Sequence, residues 1–220
     1  MSPMIFENIR EVDINAVNGR IEIESWENDY VEVNYTIHGD VDVEIEQDGD
    51  RLVIEEKPKK KLLNLRGDSD WAEIWVKVPR NVLVKAKNVN GELEARGVRF
   101  EEATTVNGRI ELKDCEAEKL STVNGKITAH LTAAGPLEVS AVNGKAELTI
   151  EDLEGDVEAK CVNGGITLRL TEFCDARIIS KRVNGDVKLV GIDPDNPAIG
   201  TGEFEVRVKT INGYARVELV

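Results

Sequence analysis

Apolar and polar residues alternate with a period of two along most of this chain. The alternation is punctuated by one tripeptide, a β-branched residue followed by Asn and Gly. Its copies are Val17-Asn18-Gly19, Val89-Asn90-Gly91, Val106-Asn107-Gly108, Val123-Asn124-Gly125, Val142-Asn143-Gly144, Val162-Asn163-Gly164, Val183-Asn184-Gly185 and Ile211-Asn212-Gly213. Parity is kept across each copy. Ala103 and Thr105 fall on the same face as Ile110 and Leu112, Leu137, Val139 and Ala141 match Ala146, Leu148 and Ile150, and Val157, Ala159 and Cys161 match Ile166, Leu168 and Leu170. Period two is the signature of a strand with one buried face. Asn-Gly takes φ > 0 more readily than other dipeptides, so each copy predicts a tight reversal, with Gly125 and its equivalents in the left-handed region. Repeated reversals between alternating strands predict an all-β repeat array.

Two architectures obey this parity. In a β-solenoid each repeat is one coil, the Asn-Gly corners stack in a column and the apolar faces meet inside. In an antiparallel β-meander or sandwich each Asn-Gly closes a hairpin, and the wide sheet must double over to cover its apolar side. The spacing favours the solenoid: successive Asn residues from Asn90 to Asn212 lie 17, 17, 19, 20, 21 and 28 residues apart. A meander would also set Lys181 against Lys188 and Lys209 against Arg216, an unfavourable pairing of like charges. On the solenoid reading Asn107, Asn124, Asn143 and Asn163 form one column.

The chain divides at about residue 80. Residues 1–79 read as an antiparallel β section, with alternating stretches around Val12-Ile14-Ala16, Ile21-Ile23, Val31-Val33, Val41-Val43-Ile45, Leu52-Ile54 and Trp71–Val78, and a hairpin signal at Asp48-Gly49-Asp50. Lys57-Pro58-Lys59-Lys60-Lys61 predicts an exposed loop, and Trp26, Trp71 and Trp75 all fall in this section. Residues 80–220 form the repeat array. The turn-rich stretch Gly191-Ile192-Asp193-Pro194-Asp195-Asn196-Pro197 predicts a loop before a final hairpin, Phe204 to Leu219. Open edges at either end of a stack invite association, so the first section is expected to cap one end and the final hairpin the other.

Charge narrows the partners. The 220 residues carry a formal net charge of −14, which disfavours nucleic acid and an anionic membrane surface. Residues 1–79 hold 9 basic and 19 acidic groups, and residues 80–220 hold 19 and 23. No stretch is apolar and long enough to predict a bilayer span, and Met1 to Arg10 lacks the pattern of a secretory signal. The chain alone therefore predicts a cytoplasmic protein. Cys115, Cys161 and Cys174 show no metal-ligand spacing and read as buried, reduced thiols. Gln47 is the only glutamine, Met is scarce, and Glu and Lys are abundant, a bias found in proteins from hot environments.

Candidate chemistry is sparse. No phosphate loop, zinc-binding helix motif, paired Cys-x-x-Cys or nucleophile elbow is present. His38 and His130 are the only histidines. Asp193, Asp195 and Asn196 form the best oxygen-ligand cluster for calcium, although the flanking prolines explain the same stretch as a turn. Trp71 and Trp75 share a face with Glu73, and that face is either a platform for a carbohydrate or partner, or is covered by Leu62, Leu63 and Leu65. Asn34-Tyr35-Thr36 is a glycosylation sequon that matters only in an exported protein. No catalytic, cofactor-binding or metal residue is assigned.

The repeat spelled Thr105-Val106-Asn107-Gly108-Arg109-Ile110-Glu111-Leu112, led in by Ile74-Trp75-Val76-Lys77-Val78-Pro79, resembles the bacterial and archaeal domain-of-unknown-function family labelled "putative adhesin". It is similar also to autotransporter-adhesin head domains. The resemblance implies a β-solenoid-like fold, frequent association with the cell envelope and no established enzymatic activity. The expectation taken forward is a non-enzymatic, adhesin-like scaffold without a cofactor. It would hold an unknown macromolecule, a protein or polysaccharide, without inserting into a membrane, and is compatible with a homo-oligomer. The competing reading is a carbohydrate-active enzyme on a β-helix, which rests on fold analogy alone.

Overall fold

The computed structural model describes residues 3–58 and 70–220, so Lys59 to Lys61 of the expected loop, and Leu62, Leu63 and Leu65, lie outside the described residues. The described chain is all-β and its strands form two long ladders, with each Asn-Gly corner carrying the chain from one to the other. The first ladder runs, in spatial order, through Val41–Asp48, Arg51–Pro58, Glu11–Ala16, Leu83–Asn88, Arg99–Thr105, Lys119–Thr122, Leu137–Ala141, Val157–Cys161, Phe204–Thr210 and Ala176–Arg182. The second runs through Met4–Glu7, Tyr30–His38, Trp71–Pro79, Arg20–Trp26, Glu92–Arg96, Arg109–Ala117, Lys126–Ala133, Lys145–Ile150, Gly165–Leu170, Tyr214–Leu219 and Asp186–Val190.

Successive repeats pair in parallel, and in register apart from bulges at Phe100–Glu102 and Leu112–Glu116. Thr105 lies opposite Asn88 on one side and Thr122 on the other, and Arg109 opposite Glu92 and Lys126. Antiparallel pairs occur at the N-terminal end, where Val41–Asp48 folds on Arg51–Pro58 and Tyr30–His38 lies between Met4–Glu7 and Trp71–Pro79. One more joins Ala198–Ile199 to the start of Ala176–Arg182. The parity read from the sequence holds: Ile110, Leu112, Val139, Leu148, Ile150, Val157, Ile166, Leu168 and Leu170 are all buried in one continuous core. Each large core side chain removed from water contributes roughly 1.5–3 kcal/mol.

The corners explain the recurring tripeptide. Backbone N–H groups of each corner donate to carbonyls of the preceding one: Asn124 to Val106 and Lys126 to Gly108, at 2.7 and 3.1 Å. The side-chain amides form a second ladder. Asn90 donates to Asn18, Asn107 to Asn90, Asn124 to Asn107, Asn143 to Asn124, Asn163 to Asn143, Asn212 to Asn163 and Asn184 to Asn212, at 2.8–3.3 Å. The remaining corner donor, the glycine N–H, turns inward to the residue three before it. Thr105, Thr122 and Thr210 accept with their hydroxyls and Cys161 with its sulfur.

One expectation needs correction. The corner residues do not adopt positive φ; the positive-φ glycines among the described residues are Gly39, Gly49, Gly97, Gly135, Gly191, Gly200 and Gly202. Glycine is required at the corners by proximity. A Cβ on Gly91, Gly108, Gly125, Gly144, Gly164, Gly213 or Gly185 would stand 1.7–2.4 Å from the carbonyl oxygen of the adjacent corner's glycine. Asparagine is there for its amide ladder and not for left-handed geometry.

A second correction concerns the C-terminus. Phe204–Thr210 and Tyr214–Leu219 do not pair with each other as a closing hairpin. They slot into the two ladders between the strands of residues 157–170 and those of residues 176–190, so the latter form the outermost layer. The long connection at 191–203 lets the chain pass over that layer and return inside it. Nor does the register avoid like charges, because Lys209 lies between Lys160 and Lys181. Glu158 bridges Lys160 and Lys209 and relieves the repulsion.

The N-terminal end of the asparagine column is closed by a carboxylate. Glu56, 5% exposed, accepts the N–H groups of Val17, Asn18 and Gly19 with Oε2 at 2.7, 3.1 and 3.0 Å, and that of Ala72 with Oε1 at 3.1 Å. It stands where the carbonyls of a further corner would be, and a charged acceptor makes the stronger hydrogen bond. Glu56→Ala should leave these donors unsatisfied and lower stability by about 3 kcal/mol, with Glu56→Gln milder, because an orphaned buried donor costs about 1–3 kcal/mol. Guanidinium unfolding would show this as a lowered midpoint, and an unchanged midpoint for Glu56→Ala would deny Glu56 the capping role.

Candidate functional site

The residues with chemical potential are distributed over the outer flanks. His38 stacks on Trp71 with ring centroids 4.2 Å apart, and its Nε2 is 3.9 Å from Glu73. His130 lies between Asp114 and Glu151, with Nδ1 3.0 Å from one carboxylate and Nε2 3.2 Å from the other. Both nitrogens therefore face acids, one on the neighbouring strand Arg109–Ala117 and one just past the end of Lys145–Ile150. Among the described residues neither histidine meets a Ser or Cys within hydrogen-bonding distance. Cys115, Cys161 and Cys174 are unpaired and buried, and burial pushes all three thiols up, away from the thiolate form that reacts.

Asp193, Asp195 and Asn196 are exposed, and Asp193 accepts the N–H of Asp195 at 2.9 Å, a side-chain-closed turn. No group of three or more His, Cys, Asp or Glu among the described residues is placed to hold a metal ion. No helix among them is long and apolar enough to cross a membrane.

Two shallow troughs mark the surface. The first crosses the second ladder over about 290 Å³ and is lined by Trp75, Glu22, Glu94, Lys77, Arg96 and Lys113 among others. Trp71, Glu73 and Trp75 point outward from their strand, half-buried. Trp26 lies edge-on to Tyr30 at 4.8 Å with the Lys77 ammonium 5.2 Å from its ring. The leucines expected to cover Trp71 and Trp75 are outside the described residues.

The second trough, about 490 Å³, follows the asparagine column from Asn90 to Asn143 and is walled by Glu92, Arg109, Lys126 and Lys145. Its wall is set by the residue after each glycine, a position that continues along the ladder beyond both ends of the trough. In spatial order these are Arg20, Glu92, Arg109, Lys126, Lys145, Gly165, Tyr214 and Asp186. At the sixth place glycine leaves room for a neighbour: a Cβ there would lie 2.2 Å from Tyr214 Cζ. The Tyr214 ring, 42% exposed, thus lies over Gly165 beside Lys145. The sequence reading missed this wall, although aligning the chain on Asn-Gly places all eight residues in one column.

Elsewhere, charges on successive strands are cross-linked. Glu102 receives Lys87 at 2.9 Å and Lys119 at 3.0 Å. Partial burial pushes its carboxyl up, but hydrogen bonds from the two ammonium groups, with their charges, outweigh it and bring the pKa down from 4.5 to about 2. A depressed folded-state pKa stabilises the fold above the unfolded value and loses that contribution as pH falls through the folded one. Glu102→Gln should therefore be less stable than wild type at pH 7, and the gap should close as pH falls from about 4.5 to about 2. Thermal unfolding at several pH values would show it, and a gap independent of pH would contradict it.

No family model matches the chain, and no curated protein sequence matches it. Solved structures resemble it at low identity. A putative cell adhesion protein from Clostridium sporogenes aligns over 100% of this chain and 99% of its own, with 13% identity and a TM-score of 0.44. A putative adhesin from Bacteroides fragilis aligns over 100% and 97%, with 12% identity and a TM-score of 0.42. A putative lipid binding protein from Parabacteroides distasonis aligns over 99% and 96%, with 14% identity and a TM-score of 0.38.

Proposed function

We propose that this protein is a β-solenoid that acts as a non-enzymatic, adhesin-like binding scaffold for a macromolecule, a protein or a polysaccharide, at the cell envelope. The solenoid reading is supported by the in-register parallel pairing of successive repeats and by the unbroken asparagine ladder. One observation carries the function. The two troughs are shallow and open, and each runs across several strands, so that side chains from successive repeats present themselves at the strand spacing of about 4.8 Å. Such a surface receives an extended polymer along its length. Rigid elements hold it in place, so little ordering cost falls on the protein when it binds.

The test immobilises the full chain and passes over it a panel of soluble polysaccharides and cell-surface glycoproteins, while new reducing ends are assayed in solution. Saturable binding to a member of the panel with no new reducing ends is the expected result. Release of new reducing ends from a bound polysaccharide would overturn the scaffold reading in favour of a carbohydrate-active enzyme.

A further inference from the structure

We infer that the trough along the asparagine corners binds an extended, carboxylate-bearing polysaccharide, with Arg109, Lys126 and Lys145 pairing its carboxylates and Tyr214 stacking on a sugar ring. This deepens the scaffold reading, on which it rests, by assigning a ligand class to one surface.

The cations come first. Arg109, Lys126 and Lys145 occupy consecutive in-register positions of one ladder. Like charges directly opposite one another destabilise a sheet, and Lys126, in the middle of the row, faces a cation on each side. Acids stand between cations at some other places, Glu102 between Lys87 and Lys119 and Glu158 between Lys160 and Lys209, whereas Lys181, opposite Lys209, and Lys188, opposite Arg216, have no acid partner among the described residues. In this row of cations only Lys126 has a carboxylate partner, Glu147 at 3.5 Å. No ion pair joins Arg109 or Lys145 to any acid among the described residues, although the chain holds 42 acidic groups against 28 basic ones. Three consecutive cations with one carboxylate between them make a local positive row on an acidic chain, and an anionic ligand complements it.

Next are the amides and the ring. Each asparagine in the trough spends one Nδ2 hydrogen on the ladder, leaving its second hydrogen and a lone pair of Oδ1 for a hydroxyl. Donor and acceptor therefore recur once per repeat beside each cation. A polymer whose every unit carries hydroxyls and a carboxylate matches that recurrence, because an extended sugar chain advances by about one pyranose length per residue, close to the strand spacing of about 4.8 Å. Tyr214 ends the row with an aromatic face, held over Gly165, on which the C–H face of a pyranose can lie. At the other end Glu92 lines the trough directly opposite Arg109 and repels anion, which confines the anionic part of the site to Arg109, Lys126 and Lys145. Nucleic acid needs a broad basic footprint, which a row of three cations on a chain of net charge −14 does not provide.

The experiment titrates the full chain with polygalacturonate, with its methyl-esterified form, and with single-stranded DNA and polyphosphate, at low and moderate salt. Wild type should bind polygalacturonate in a salt-sensitive way and the ester much more weakly. The double variant Arg109→Gln and Lys145→Gln should lose at least about tenfold in affinity, the scale of a charge-assisted contact or more. Tyr214→Ala should also weaken binding, while Lys188→Gln, a cation outside the trough, should not. Circular dichroism and unfolding midpoints verify that the variants remain folded. No binding of polygalacturonate, equal binding by the double variant, or equal or tighter binding of DNA or polyphosphate would each overturn the assignment. Binding of another panel member, unaffected by these variants, would remove the ligand from this trough and leave the scaffold reading standing. New reducing ends would remove the scaffold reading itself.

Discussion

At seven of the eight Asn-Gly corners of this protein the face of the glycine rests against the carbonyl oxygen of the glycine one layer away. The approach is so close that a single methyl group would collide with it. This contact sets the spacing at which the Asn amides hydrogen-bond along the column and at which backbone N–H groups reach the preceding corner's carbonyls. Aligned corners fix the register of both ladders. Since side chains alternate with period two, register then decides which residues are buried. Core, flank and trough all follow from it.

A stack of this kind is satisfied internally and exposed at its ends, and the two ends are finished differently. At the N-terminal end Glu56 replaces the missing carbonyls, and antiparallel strands extend both ladders outward. At the other end the outermost layer carries Ser180 and Arg182 at positions that face the core elsewhere, both exposed, while Ile192 and Ile199 from the long connection are buried. Polar and charged side chains on an inward face are a known means of discouraging strand addition. The trough proposed to bind acidic glycan lies between these ends, where the repeats are most regular.

Much of the fold was legible in the sequence. The parity of Leu137–Ala141 and Lys145–Ile150 around Asn143 identified the buried face, and the near-constant spacing pointed to a shared column. The reason for the glycine was not legible, because proximity between layers is a tertiary fact and positive φ is the commoner reason for Asn-Gly. Nor could the sequence place Phe204–Leu219 inside the stack, since repeat spacing reveals that a long connection exists and not over which layer it passes. Two signals were present and unused. Glu56 shares parity with Leu52 and Ile54, and Arg182 with Ile178, so a charge at an inward position marks each end of the stack. The cation row was likewise present, in the residue after each glycine, but its lack of acidic partners emerges only when distant strands are brought together.

The contact between corners is tested most directly by hydrogen exchange on Gly125→Ala. The added methyl meets the Gly108 carbonyl oxygen at 2.1 Å, so the Asn124 corner must move away from its neighbour. Overpacking of this kind costs typically about 1–3 kcal/mol. Amides whose acceptors belong to adjacent layers should then lose protection together, including Asn124, bonded to Val106, and Asn143, bonded to Val123. Faster exchange at the 124 and 143 corners is the predicted result. Increased exchange confined to residues 121–128, with Asn143 as protected as in wild type, would show that the corners are independent turns and contradict the account.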